Sequence, residues 1–102
     1  MAPDTIANHL QTLLHESLTQ HFIYPPMAHR NGWEGRVELL VQLDQDGRLH
    51  TLRVVRSSGY LLLDEDALLT LRRIGSIPRA RSWVPEQGYA TTLPIIYKLT
   101  EG

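Results

Sequence analysis

From Arg36 to Leu43 a buried-type apolar residue falls at every second position, and that spacing limits what the chain can fold into more than any other feature. Val37, Leu39, Val41 and Leu43 alternate with Arg36, Glu38, Leu40 and Gln42. Successive side chains of a strand point to opposite faces, so this is a strand with one face against a core. Asp44-Gln45-Asp46-Gly47 follows, and Asp-Gly is a strong signal for a tight reversal. A second run, from about Leu49 to Arg56, carries Leu49, Leu52, Val54 and Val55. An antiparallel hairpin over about 36–43 and 49–56 is therefore expected.

Helical spacing flanks the hairpin. Ile6, Leu10, Leu13, Leu14 and Leu18 share one helical face, which predicts a helix over about 4–20 with Asp4 or Thr5 as its cap. Pro25 bars helix at Tyr24, so Tyr24-Pro25-Pro26 reads as extended, with Met27–Asn31 one short turn closed by Gly32. Ser57-Ser58-Gly59 ends the second strand. Asp64, Glu65 and Asp66 open a helix over 64–74, where acids suit the positive end of the dipole. Ala67, Leu68, Leu71 and Ile74 form its apolar stripe, and Gly75 and Pro78 stop it. Arg79 to Ala90 reads as a loop. A third strand is expected over 92–99, with Leu93, Ile95, Tyr97 and Leu99 on one face and Pro94, Ile96 and Lys98 on the other.

The expected architecture is α+β: a two-layer sandwich in α-β-β-α-β order, a three-stranded antiparallel sheet packed by helices. A strand-helix-strand connection sets the third strand parallel to the second, so it can pair antiparallel with the first in sheet order 2-1-3. Strands two and three are then edges. Pro94 suits an edge because it has no amide proton to donate.

With 102 residues the chain is a single domain over 1–102. A net charge of -1 argues against a general nucleic-acid partner, which needs a basic face. There is no cysteine, hence no disulfide, thiolate metal site or cysteine nucleophile. No apolar stretch reaches the ~18 residues of a membrane span. Asp4 and Glu16 interrupt the first twenty residues, which lack a signal-peptide core. The chain is then either cytoplasmic or the soluble piece of something longer.

Few residues invite chemistry. Ser57 and Ser58 have no nucleophile elbow or legible triad and fit a strand-to-helix turn. His9, His15, His21, His29 and His50 include no pair spaced three or four apart, so no metal is expected. Asp64, Glu65 and Asp66 are explained by a helix start. Arg72, Arg73, Arg79 and Arg81 fit a solvated helix end, with docking of an acidic partner as the sharper reading. Neither enzymatic activity nor a cofactor is expected. The third strand remains. Either its apolar edge accepts an extended peptide as a further strand, or Ile96 packs under the first helix or a dimer partner.

The ordered set Tyr24-Pro25, Ala28, Gly35, Val37, Val41, Asp46-Gly47, Val54, Ser57-Ser58-Gly59, Leu63-Asp64, Ala67, Pro78 and Leu93-Pro94-Ile95-Ile96-Tyr97-Lys98-Leu99 resembles the TonB C-terminal domain family from Tyr24 to Leu99. The resemblance implies a periplasmic domain of an energy transducer anchored in the inner membrane. A membrane helix absent from this chain would engage ExbB–ExbD. The domain would grip the TonB box of an outer-membrane TonB-dependent transporter and pull, for import of a siderophore (iron uptake), haem or cobalamin. It places that grip on Thr92, Leu93, Pro94, Ile95, Ile96, Tyr97, Lys98 and Leu99, with Tyr24 and Pro25 nearby, by β-augmentation. Ser57, Ser58, Gly59, Leu63, Asp64 and Ala67 are its structural motif. Before Tyr24 the chain has His21-Phe22-Ile23 where the best-known members have Gln-Pro-Gln. The chain is expected to be a fragment or a standalone member. A homodimer, or a TolA-like cell-envelope scaffold, is the alternative.

Overall fold

Leucines on one helical face hold the first helix to the rest of the molecule. In the computed structural model, which describes the backbone of residues 3–99 and the side chains of residues 6–99, α1 spans Pro3–His21. Leu10, Leu13, Leu14 and Leu18 are buried, at about 2 kcal/mol for each leucine removed from water. The cap expected from Asp4 or Thr5 lies outside the described side chains. After Tyr24 the chain turns into α2 (Pro26–Asn31), which ends at Gly32 with φ 67°.

The hairpin is β1 (Gly35–Leu43) and β2 (Leu49–Arg56). Asp44 organises its turn: one carboxylate oxygen accepts from the amides of Asp46 (2.9 Å) and Arg48 (3.0 Å). Those amides, that of Arg48 foremost, hold the Asp44 carboxyl below its ordinary range. Gly47, at φ 82°, is required here, since a Cβ would meet the Ile77 carbonyl oxygen at 2.4 Å. α3 (Leu61–Ile74), a short 3-10 turn (Pro78–Ala80) and β3 (Tyr89–Tyr97) complete the chain.

Strand order is β2-β1-β3, antiparallel throughout, as expected from the sequence. Val37, Leu39, Val41, Leu43, Leu93, Ile95 and Tyr97 are buried in one core with the α1 leucines and with Leu63, Ala67 and Leu71 of α3. The other sheet face carries Arg36 and Ile96 exposed, with Glu38, Leu40, Gln42 and Pro94 half-buried.

Three boundaries differ from the sequence expectation. β3 begins at Tyr89 rather than Thr92, because its regular register with β1 runs back to the pair Leu43–Tyr89. It ends at Tyr97, opposite Gly35 where β1 begins, so Lys98 and Leu99 lie beyond it. The Leu99 amide donates instead to the Glu34 carboxylate (2.6 Å). α3 begins at Leu61 rather than Asp64, and of the three acids Asp64 alone lies in its first turn. Part of the segment read as a loop is also ordered inward, since Ala80 and Val84 are buried.

Candidate functional site

Two acids on one stretch of α3 fasten the ends of both outer strands. Asp64 is buried, and it accepts hydrogen bonds from the Ser57 hydroxyl, the Ser58 amide (2.9 Å) and the Ser58 hydroxyl (2.8 Å). Burial alone would push its carboxyl up, but these donors outweigh burial and leave it below its ordinary value. Ser57 and Ser58 thus join the end of β2 to α3. Gly35 makes room for that turn, since a Cβ there would stand 2.9 Å from the Ser58 carbonyl oxygen. Leu63 and Ala67 are fully buried beneath it, and Gly59 turns at φ 98°.

Asp66 does the equivalent for β3, accepting from the Tyr97 hydroxyl at 2.6 Å. Burial raises the Tyr97 phenol far above its ordinary range, helped by that bond and by the charge of Asp66. Asp64 lies in the first turn of α3 as a helix-start acid, and both it and Asp66 also tie the helix to the ends of the outer strands. Phe22 and Tyr24 pack on Tyr97 with ring centres 5.1 and 5.6 Å away. The Tyr24 hydroxyl donates to the Trp33 carbonyl, and its pKa is raised by burial and by Glu34. Pro25 is buried.

The outer edge of β3 is the region with unmet bonding capacity. In an antiparallel strand the N–H and C=O of one residue point to the same side, and alternate residues point to opposite sides. Pro94 has no N–H for β1, and the Thr92 carbonyl is met from outside the ladder by Gln11 Nε2 at 3.4 Å. Thr92, Pro94 and Ile96 thus turn their backbone outward, while Leu93, Ile95 and Tyr97 bond β1. Five backbone groups face out over this span: N–H and C=O of Thr92, C=O of Pro94, and N–H and C=O of Ile96. Ile96 is 62% exposed. Beside it runs a groove of about 340 Å³, lined by His15, Leu18, Thr19 and Phe22 on one wall and Pro94, Ile95 and Ile96 on the other.

The expected contiguous run of binding residues is thus divided. Leu93, Ile95 and Tyr97 are core residues whose backbone is already paired, and Lys98 and Leu99 follow the strand. Tyr24 and Pro25 pack inside the fold. Ile96 does not pack beneath α1. Gln11, His15, Leu18 and Phe22 were not foreseen beside the edge, since no local pattern tells which strand a helix will flank. His9 packs against Trp83 with ring centres 3.9 Å apart and ring planes tilted by 41°.

A family profile for the Gram-negative bacterial TonB protein C-terminal matches residues 20–99. Protein tonB2 of Pseudomonas aeruginosa is 37% identical over 76 residues, covering 74% of this chain, and the match spans 28% of that relative's length. The solution structure of a Helicobacter pylori TonB-CTD superposes with a TM-score of 0.74 at 26% identity, covering 93% of this chain and 85% of the other. TolAIII bound to a peptide derived from the N-terminus of TolB shares the fold, with a TM-score of 0.70 at 24% identity over 88% of this chain and 73% of the other. Strand order, the Ser-Ser-Gly and Leu-Asp junction and the profile agree: the chain belongs to the Gram-negative bacterial TonB C-terminal family.

Proposed function

We propose that this domain works in the periplasm as the gripping end of an energy transducer, taking the TonB box of an outer-membrane transporter as a fourth strand against β3. The observation that carries the reading is the set of outward backbone groups at Thr92, Pro94 and Ile96 beside an apolar groove. An added strand would place alternate side chains in the groove between Leu18, Phe22 and Ile95, and the rest on the opposite sheet face. Five hydrogen bonds at about 1 kcal/mol net are worth about 5 kcal/mol. Ordering the peptide costs a comparable amount, so side-chain burial supplies the surplus. Affinity is then expected near micromolar, about -8 kcal/mol. Force along the strand loads several bonds together, which lets a weak complex transmit a pull from ExbB–ExbD through the remainder of a longer protein. The cargo would be a siderophore, haem or cobalamin.

No helix among the described residues is long and apolar enough to cross a membrane. The test is isothermal titration of TonB-box peptides into the domain and into Ile96→Pro. Position 96 directs its N–H outward, so proline there removes a donor from the partner and none from β1. The expected result is tenfold or greater loss of affinity with little change in Tm. Equal affinity of the two forms would place the grip elsewhere. The alternatives use the same edge: a homodimer pairing β3 with β3, or a scaffold like TolAIII, which was solved with a TolB-derived peptide. Concentration-dependent sedimentation without peptide binding would favour the dimer.

A further inference from the structure

We infer that Gln11 is a built-in competitor for the β3 ladder and so sets how far along β3 a partner can pair; this rests on the edge-addition reading above. Its carboxamide Nε2 donates to the Thr91 hydroxyl at 2.6 Å and reaches the Thr92 carbonyl at 3.4 Å. A side-chain amide offers the same donor as a peptide N–H, and it sits where the N–H of an added strand would come. The Thr91 contact is the anchor. The Thr92 contact is long and yields to a backbone donor at the usual ~2.9 Å.

The edge therefore has two halves. Around Pro94 and Ile96, no group from outside the sheet bonds the outward backbone among the described residues, and the apolar groove lies alongside. Around Thr92 the carbonyl is occupied. An extended segment would seat first opposite Ile96, with an apolar side chain between Leu18 and Phe22. It pairs with Thr92 only by expelling Gln11. Short partners escape this competition and long ones do not. Gln11 thus acts against length rather than against any one side chain.

The experiment is isothermal titration of a synthetic TonB-box peptide long enough to span Ile96 to Thr92, and of versions two residues shorter at either end. The receivers are the wild-type domain, Gln11→Ala and Thr91→Val. Removing one competing hydrogen bond is expected to tighten the full-length peptide by about fivefold. Shortening at the end that meets Thr92 should erase that gain, and shortening at the other end should keep it. Thr91→Val, which removes the anchor and leaves Gln11 in place, should shift affinity in the same direction. Thermal melts of all three confirm that the fold is retained. Full-length peptide that binds wild type and Gln11→Ala equally, or Gln11→Ala more weakly, overturns the inference and leaves edge addition standing. A peptide panel that binds neither form overturns both.

Discussion

The sheet has two edges, and they are finished in opposite ways. On the β2 side the chain covers the start of the edge itself: the amide of Leu49 donates to the Gly75 carbonyl (2.9 Å) and that of Ile77 to the Gly47 carbonyl (2.7 Å). Pairing with β1 is irregular between Glu38 and Leu39 and between Gln42 and Leu43, and exposed Arg53 and Arg56 stand along the strand. Irregular twist and charge both discourage a foreign strand. On the β3 side the register is regular along nine residues, the exposed side chains are Ala90, Thr92 and Ile96, and a groove runs alongside. Pro94 and Gln11 are the restraints there. Two edges of one sheet thus teach that availability for pairing is controlled locally, by what the neighbouring chain does with each carbonyl and amide.

The largest expected effect is on the β2 edge. Gly47→Ala would force a positive φ on alanine and press its Cβ into the Ile77 carbonyl, so about 3 kcal/mol of stability should be lost in denaturant unfolding. A loss below about 1 kcal/mol would mean that the Gly47–Ile77 closure contributes little to this edge.

Next comes the fastening of β2 to α3. Asp64→Asn should cost about 2 kcal/mol, since it weakens charge-assisted hydrogen bonds in a buried site. The sign with pH follows from a folded pKa below the unfolded one, which is about 3.9. The Asp64 contribution is fully present above that value and is lost as pH falls through the folded pKa. Denaturant midpoints measured from pH 6 down to pH 2 should therefore decline less steeply for Asp64→Asn. Parallel declines would show that other carboxylates govern acid unfolding.

The smallest effect belongs to the corresponding fastening of β3. Tyr97→Phe keeps the buried ring and removes the bond to Asp66, at about 1 kcal/mol. Because the folded pKa of Tyr97 is raised, its contribution is present below about pH 10, the unfolded value, and fades as pH rises through the folded one. A thermal melt series at pH 8 and pH 11 on both proteins measures this, and a Tyr97→Phe loss exceeding that of Asp64→Asn would reverse the ranking of the two ties.

Local pattern and tertiary placement divide the molecule cleanly. The alternation of Val37 to Leu43, the Asp46-Gly47 turn and the leucine spacing of α1 set element types, because each depends on residues a few positions apart. Chain connectivity then sets the direction of the third strand and allows the order 2-1-3, and a proline at position 94 marks an edge because it lacks a donor. The run of acids at 64–66 was legible as a helix start but not as two ties, since Ser57, Ser58 and Tyr97 reach it only once the sheet is packed. Likewise Gln11 and Thr91 are 80 positions apart. Nothing in the periodicity of α1 reveals which strand its polar flank will lie beside. The sequence by itself determined that one edge would carry a proline, and it left open whether Ile96 would be exposed there. Only packing decided that α1 would line a groove along that edge and place an amide on the Thr92 carbonyl, because contacts between distant segments depend on how whole elements fit together.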